Sequence, residues 1–151
     1  MQTYKVTVDK DKNRFWYNEK NYLHRLDGPA VEYAKYANGT KEWWVEGKRH
    51  RLDGPAIENA DGYKAWLVES KYHRLDGPAI EWANGDKEWW FNGEPHRLDG
   101  PAIEYADGRK VWYVNGKQMT EEKFNEYIKP KPTCEGKVVE VDGIKYKLTA
   151  I

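Results

Sequence analysis

One cysteine, Cys134, in 151 residues excludes an intrachain disulfide and fits a reducing compartment. No long apolar run is present, and no segment has the apolar centre of a signal peptide. The expectation is a soluble, cytoplasmic protein with no membrane association. Charge of one sign is also lacking. Lys and Arg total 25, Asp and Glu total 25, and the formal net charge is zero. Nucleic-acid binders draw most of their affinity from a basic excess, so general nucleic-acid binding is disfavoured. The same balance argues against docking on anionic lipid. There is no phosphate-cradling glycine loop, no Ser/His/Asp or Cys/His arrangement and no cysteine cluster. The expectation is therefore no cofactor, no metal, no catalytic residue and no enzyme.

Aromatics are abundant instead, with eight Trp, eleven Tyr and three Phe. Large rings bury much area each, so a thin fold can still build a core. The chain is organised by four copies of one heptapeptide, His-Arg-Leu-Asp-Gly-Pro-Ala, at His24–Ala30, His50–Ala56, His73–Ala79 and His96–Ala102. Their histidines stand 26, 23 and 23 residues apart and are the only four in the protein.

Each copy leads into an extended run, an Asx-Gly pair and a second extended run. The pairs are Asn38-Gly39, Asp61-Gly62, Asn84-Gly85 and Asp107-Gly108. Asn-Gly between extended runs predicts a hairpin with a two-residue type I′ turn. That register sets Ile80 opposite Trp89 and Trp82 opposite Lys87. Alternation then places Ile80, Trp82, Trp89 and Phe91 on one, buried face. Its equivalents are Val31/Trp43/Val45, Ile57/Trp66/Val68 and Ile103/Trp112/Val114. Ala79, Glu81, Glu88 and Trp90 fall on the other face. A second turn closes each unit near Glu46-Gly47, Glu69-Ser70, Asn92-Gly93 and Asn115-Gly116. Asp76-Gly77-Pro78 reads as a tight corner between hairpins. Each repeat is thus two strands and two turns. Stacking the copies buries faces that one hairpin cannot bury alone. The first copy carries three extra residues, Lys35-Tyr36-Ala37, expected as a bulge or longer loop.

Before the array, Tyr4-Lys5-Val6-Thr7-Val8 alternates as a strand, and Phe15-Trp16-Tyr17-Asn18 reads as a degenerate half-repeat. After it, Thr120 is a suitable N-cap for a short capping helix, with Phe124, Tyr127 and Ile128 on one apolar face. Lys129-Pro-Lys-Pro132 stops the helix. Asp142-Gly143 centres a further hairpin. The fold class expected is mainly β: a repetitive antiparallel hairpin sheet with a short C-terminal capping helix and a terminal hairpin. The array spans 1–128, with repeats near 24–49, 50–72, 73–95 and 96–117 and the helix at 120–128. The last hairpin occupies 133–151.

The period of 23, with Trp-x-x-x-Gly, Gly-Pro-Ala-x-Glu and Asx-Gly elements, resembles MORN-type repeats, most closely a variant class with Asn-Gly-Lys within hairpins. Asn115-Gly116-Lys117 carries that element. The stricter motif Trp-x-x-Asn-Gly-x-x-His-Arg-x-Asp-Gly-Pro-Ala resembles repeat proteins of large bacterial viruses, and Gly-Lys-Gln-Met-Thr-Glu-Glu-Lys-Phe is similar to their C-terminal cap. The resemblance covers about residues 15–128. It implies a scaffold or binding surface, and a viral protein engaging a host factor such as a defence component.

One His and one Asp per repeat suggest metal ligands or acid–base groups. Yet a zinc site gathers three or four ligands at one point, while a solenoid spreads equivalent residues into a ladder. The structural alternative has Arg74 pairing with Asp76 or turn backbone, and His73 fixing the corner by hydrogen bonds. Candidate binding residues are Arg51, Arg74 and Arg97, His50, His73 and His96, and the aromatic positions Trp44, Trp90 and Tyr113. Three readings follow. The first is a module that engages a protein partner. The second sequesters a small nucleotide-like ligand on the Arg, His and aromatic ladder. The third, ranked last, is a metal-dependent enzyme using the repeated His and Asp. A flat exposed aromatic face favours the first, a deep Arg-lined pocket the second, and clustered histidines the third.

Overall fold

A computed structural model describes residues 3–34, 39–129, 138–141 and 144–147. The Lys35-Tyr36-Ala37 insertion, Asn38 and the Asp142-Gly143 pair lie outside the described residues. The architecture is mainly β, as the hairpin signals require. An N-terminal hairpin, β1 (Lys5–Val8) with β2 (Arg14–Tyr17), opens the sheet. Each of the first three repeats then contributes four short strands, not two, and the fourth contributes three. In the third copy these are β11 (Ile80–Glu81), β12 (Lys87–Glu88), β13 (Trp90–Phe91) and β14 (Glu94–Pro95).

The first two strands of every repeat join one antiparallel sheet of eleven strands. Its other members are β3 (Val31–Glu32), β4 (Lys41–Glu42), β7 (Ile57–Glu58), β8 (Lys64–Ala65), β15 (Ile103–Glu104), β16 (Lys110–Val114) and β17 (Lys117–Met119). The last two strands of a repeat form a satellite hairpin: β5 (Trp44–Val45) with β6 (Lys48–Arg49), β9 (Leu67–Val68) with β10 (Lys71–Tyr72), and β13 with β14. Trp43, Trp66 and Trp89 stand at the break between the two hairpins. The N–H of Trp89 donates to the Ala102 carbonyl of the next corner at 2.7 Å, and its carbonyl accepts the His96 N–H at 2.9 Å. The ladder therefore changes partner at the tryptophan. In the fourth repeat the two segments run on without a break as β16.

The Asx-Gly turn does not have the type I′ geometry expected of it. The N–H of Gly85 donates to the Trp82 carbonyl, and Trp82 N–H to the Asp86 carbonyl. Gly85 takes φ +95° while Asn84 stays in the ordinary negative region. This is a three-residue loop with glycine at the left-handed position. The type I′ character lies in the other turn, where Asn92 and Gly93 have φ +52° and +88°. Ile80 is consequently opposite Glu88, not Trp89. A slip of one residue moves side chains to the opposite face. Trp82 and Phe91, expected in the core, are 44% and 41% exposed, and the tryptophan before each satellite hairpin is only half-buried. The core is built from smaller groups. Ala30, Ala56, Ala79 and Ala102, the last residue of each heptapeptide, are fully buried. Val31, Ile80, Ala65, Leu67 and Val114 join them.

The helix α1 (Glu121–Ile128) starts at Thr120, whose hydroxyl accepts the Lys123 N–H at 3.3 Å. Phe124 is buried, and the helix packs on β16. Tyr127 and Ile128, expected on the same covered face, are exposed. Strands β18 (Val138–Val141) and β19 (Ile144–Lys147) pair antiparallel. No helix among the described residues is long and apolar enough to cross a membrane.

Candidate functional site

The heptapeptide corner is held by its arginine. In the third copy Arg74 donates from Nε to Asp76 at 2.8 Å and from Nη1 to the Pro78 carbonyl at 3.2 Å. Nη1 also reaches Glu81 at 3.2 Å. The guanidinium lies 3.9 Å from the centroid of the Trp66 ring in the preceding unit. Arg51 and Arg97 repeat every contact, over Trp43 at 4.0 Å and Trp89 at 3.8 Å. Arg25 repeats the pattern over Trp16 at 4.3 Å, with a longer 3.6 Å reach to Glu32. A planar fork with several donors and a flat face is what permits all of these at once.

The glycine of the motif is needed by the arginine. A Cβ on Gly54 would lie 2.8 Å from Cζ of Arg51, and one on Gly77 3.0 Å from Cζ of Arg74. Neither glycine has positive φ, so close approach rather than turn geometry demands it. The arginine hydrogen bond, followed by its charge, holds the Asp53 and Asp76 carboxyls below the usual carboxylate range. At Asp99 the hydrogen bond from Arg97 again leads.

The histidines tie each corner to the second turn of the same repeat. Nδ1 of His24, His50, His73 and His96 receives the backbone N–H of Glu46, Glu69, Asn92 and Asn115, at 3.1, 3.4, 3.2 and 3.0 Å. Each donating turn closes the satellite hairpin of its repeat in the first three copies and joins β16 to β17 in the fourth. In three copies a side-chain oxygen of the turn residue also approaches Nδ1: Glu46 at 3.0 Å, Glu69 at 3.2 Å and Asn92 at 2.8 Å. The structural alternative for His-Arg-x-Asp thus has a definite geometry. No group of three or more His, Cys, Asp or Glu among the described residues is placed to hold a metal ion.

Between successive corners run three open clefts. One of about 610 Å³ lies between the Arg25 and Arg51 corners and is floored by Trp43, Val45 and His50. The next, of about 680 Å³, lies between the Arg51 and Arg74 corners over Trp66, Val68 and His73. The third, of about 620 Å³, lies between the Arg74 and Arg97 corners over Trp89, Phe91 and His96. Each corner arginine between two clefts lines both, so the clefts form one groove along the array. The groove brings together Arg51, Arg74, Arg97, His50, His73 and His96 from the sequence reading.

Trp44, Trp90 and Tyr113 do not line it. Trp90 donates from Nε1 to Glu88 at 2.9 Å and packs on Tyr72 at 5.4 Å between ring centroids. Trp82 donates to the other oxygen of Glu88 and packs on Tyr63 at 4.9 Å. Trp44 donates to buried Glu42 beneath Arg49. Tyr113 reaches Gln118 at 3.4 Å. These groups cover the opposite side of the sheet, because Glu88 faces Ile80 there while Glu81 faces the corner. Burial is the first cause that raises the Tyr63 phenol, and its hydrogen bond with Tyr72 is the next.

The leucines of the heptapeptide were missed. Leu26, Leu52, Leu75 and Leu98 are 62%, 80%, 81% and 51% exposed. They project from the corners that wall the clefts. A leucine held in a rigid Arg-x-Asp-Gly-Pro corner, outside any alternating strand, was the available signal. The chain matches no protein-family model and no curated protein sequence.

Proposed function

We propose that this chain is a non-enzymatic module that binds a protein segment along the groove of heptapeptide corners. The observation that carries the reading is the ladder of exposed leucines. Exposed apolar residues that recur at the same corner of every repeat along one groove mark an interaction site, whereas singly scattered ones do not. The walls are preorganised, since every corner is clamped by the same four arginine contacts, and a rigid site loses little entropy on binding. The likeness of the repeats to MORN-type binding surfaces supports the same reading. A viral origin and a host partner rest on that likeness alone.

Sequestration of a nucleotide-like ligand is the second reading, favoured by the arginines that line the 680 Å³ cleft. Against it, those guanidiniums already serve Asp, Glu and a carbonyl, and their side chains are only about one-fifth exposed, 21% for Arg51 and Arg74. A phosphate would meet the outward carboxylates first.

Affinity capture from cells, with protein and small-molecule readout, tests the proposal. The wild-type chain is compared with a Leu52→Ser/Leu75→Ser/Leu98→Ser variant. The expected result is protein capture by the wild type that the variant loses. Equal capture by both, or enrichment of a small molecule alone, overturns it.

A further inference from the structure

The groove shows a ligand two things, and they differ from what the heptapeptide's composition suggests. Its arginines are turned inward, stacked on tryptophan, with side chains only 21% exposed at Arg51 and Arg74. Its aspartates are turned outward, 86% exposed at Asp53 and 83% at Asp76 and Asp99. Each of these accepts an arginine hydrogen bond on Oδ1. The accessible lip of the groove therefore alternates leucine with carboxylate, and its accessible charge is negative although the chain is neutral overall.

The spacing is set by the sheet. Every repeat adds two strands, and neighbouring strands lie about 4.8 Å apart, so the leucines recur about every 10 Å. A polyproline-II helix has three residues per turn and a rise of about 3.1 Å each, so it presents the same side every ~9.3 Å. An extended strand covers about 10 Å in three residues, but alternation turns the third side chain away. Segments in polyproline-II conformation characteristically dock on aromatic-lined grooves, and Trp43, Trp66, Trp89 and Phe91 floor this one.

From this juxtaposition we infer that the partner segment is a basic polyproline-II stretch with an apolar residue at every third position and Lys or Arg between. Its apolar residues sit between successive leucines, and its cations meet the outward aspartates. The inference rests on the groove being a protein-binding surface, and it adds the conformation, charge and period of the occupant.

The test is a fluorescence-anisotropy titration of the full chain with labelled synthetic peptides. The probes are a four-copy Pro-Leu-Lys peptide, its Pro-Leu-Glu counterpart, a Pro-Leu-Lys composition with irregular leucine spacing, and a basic helical peptide with leucines every seventh residue. Expected is binding of the first probe at least about tenfold tighter than the other three. That binding weakens as salt is raised, because exposed charges are screened, and it is lost in Leu52→Ser/Leu75→Ser/Leu98→Ser. Absence of binding to the first probe, equal binding of the glutamate or irregular probe, or tighter binding of the helical probe overturns the inference. Where that happens while the triple-leucine variant still loses its captured proteins, the groove remains a protein site and only the identity given to its occupant falls.

Discussion

Nδ1 of His73 receives the backbone N–H of Asn92 at 3.2 Å. Asn92 is the first residue of the type I′ turn in the satellite hairpin that follows, with φ +52°. The bond ties a repeat's corner to its own second turn and recurs at the other three histidines. A residue present four times in this way serves assembly of the array. His73→Ala is expected to destabilise by about 1 kcal/mol, the usual net worth of one hydrogen bond. Urea unfolding checks it, the midpoint falling with an unchanged slope.

The glycine before proline offers a sharper test, because two residues must act as one. Gly54→Ala is expected to destabilise by about 1–2 kcal/mol, since the new Cβ forces Arg51 from its clamp. In an Arg51→Ala background the same change is expected to cost much less. A double-mutant cycle by chemical unfolding measures that coupling, and independent effects would remove the close approach as the reason for glycine.

The turn geometries can be distinguished by mutation. Asn92→Val is expected to cost about 1–2 kcal/mol because it places a branched side chain at positive φ. Asn84→Val costs less, since Asn84 is not left-handed. Gly85→Val is destabilising, as the left-handed position of that loop belongs to Gly85. Melting temperatures of the three variants rank them. Equal effects at Asn84 and Asn92 would restore the two-residue turn at Asn84-Gly85.

The aspartates link stability to acid. The folded-state carboxyls of Asp53, Asp76 and Asp99 lie below their ordinary value. A lowered folded value means the stabilisation is present above the unfolded value, about 3.9, and is lost as pH falls through the folded one. From pH 8 to 6 these groups contribute no change. Below about pH 4 the melting temperature falls on their account, and the fall is shallower in Asp76→Asn. Melts across that range check the slope.

The repeat period, the hairpins and the helix start were legible because each rests on local chemistry: the recurring heptapeptide, the Asx-Gly pairs, and Thr120 ahead of an acidic first turn. The register was not. Asn-Gly suits a two-residue I′ turn, and a glycine ending a three-residue loop suits the other geometry equally well. Asn84-Gly85 alone does not distinguish them, and the one-residue difference put Trp89 and Phe91 on the face opposite Ile80. Arg74, Asp76 and Glu81 were visible as residues, but the ring that completes their clamp, Trp66, comes from the preceding unit. Strand alternation therefore assigned Trp66 to a core, where stacking under arginine is its actual role. Leu75 escaped notice because a leucine reads as interior unless the corner that holds it outward is known.

Within Arg-Leu-Asp the arginine builds the corner, and the proposed binding role falls to the exposed leucine. Thermal unfolding of Arg74→Ala beside Leu75→Ser tests this division most directly. Arg74→Ala strands Glu81 and the Pro78 carbonyl and uncovers Trp66, at an expected cost of about 2 kcal/mol. In a chain of this size that lowers the melting temperature by about 4–8 °C. Leu75→Ser, at 81% exposure, is expected to leave it within about 1–2 °C. An unchanged melt for Arg74→Ala together with a lowered one for Leu75→Ser would contradict the account, making the arginine the free group and the leucine the structural one.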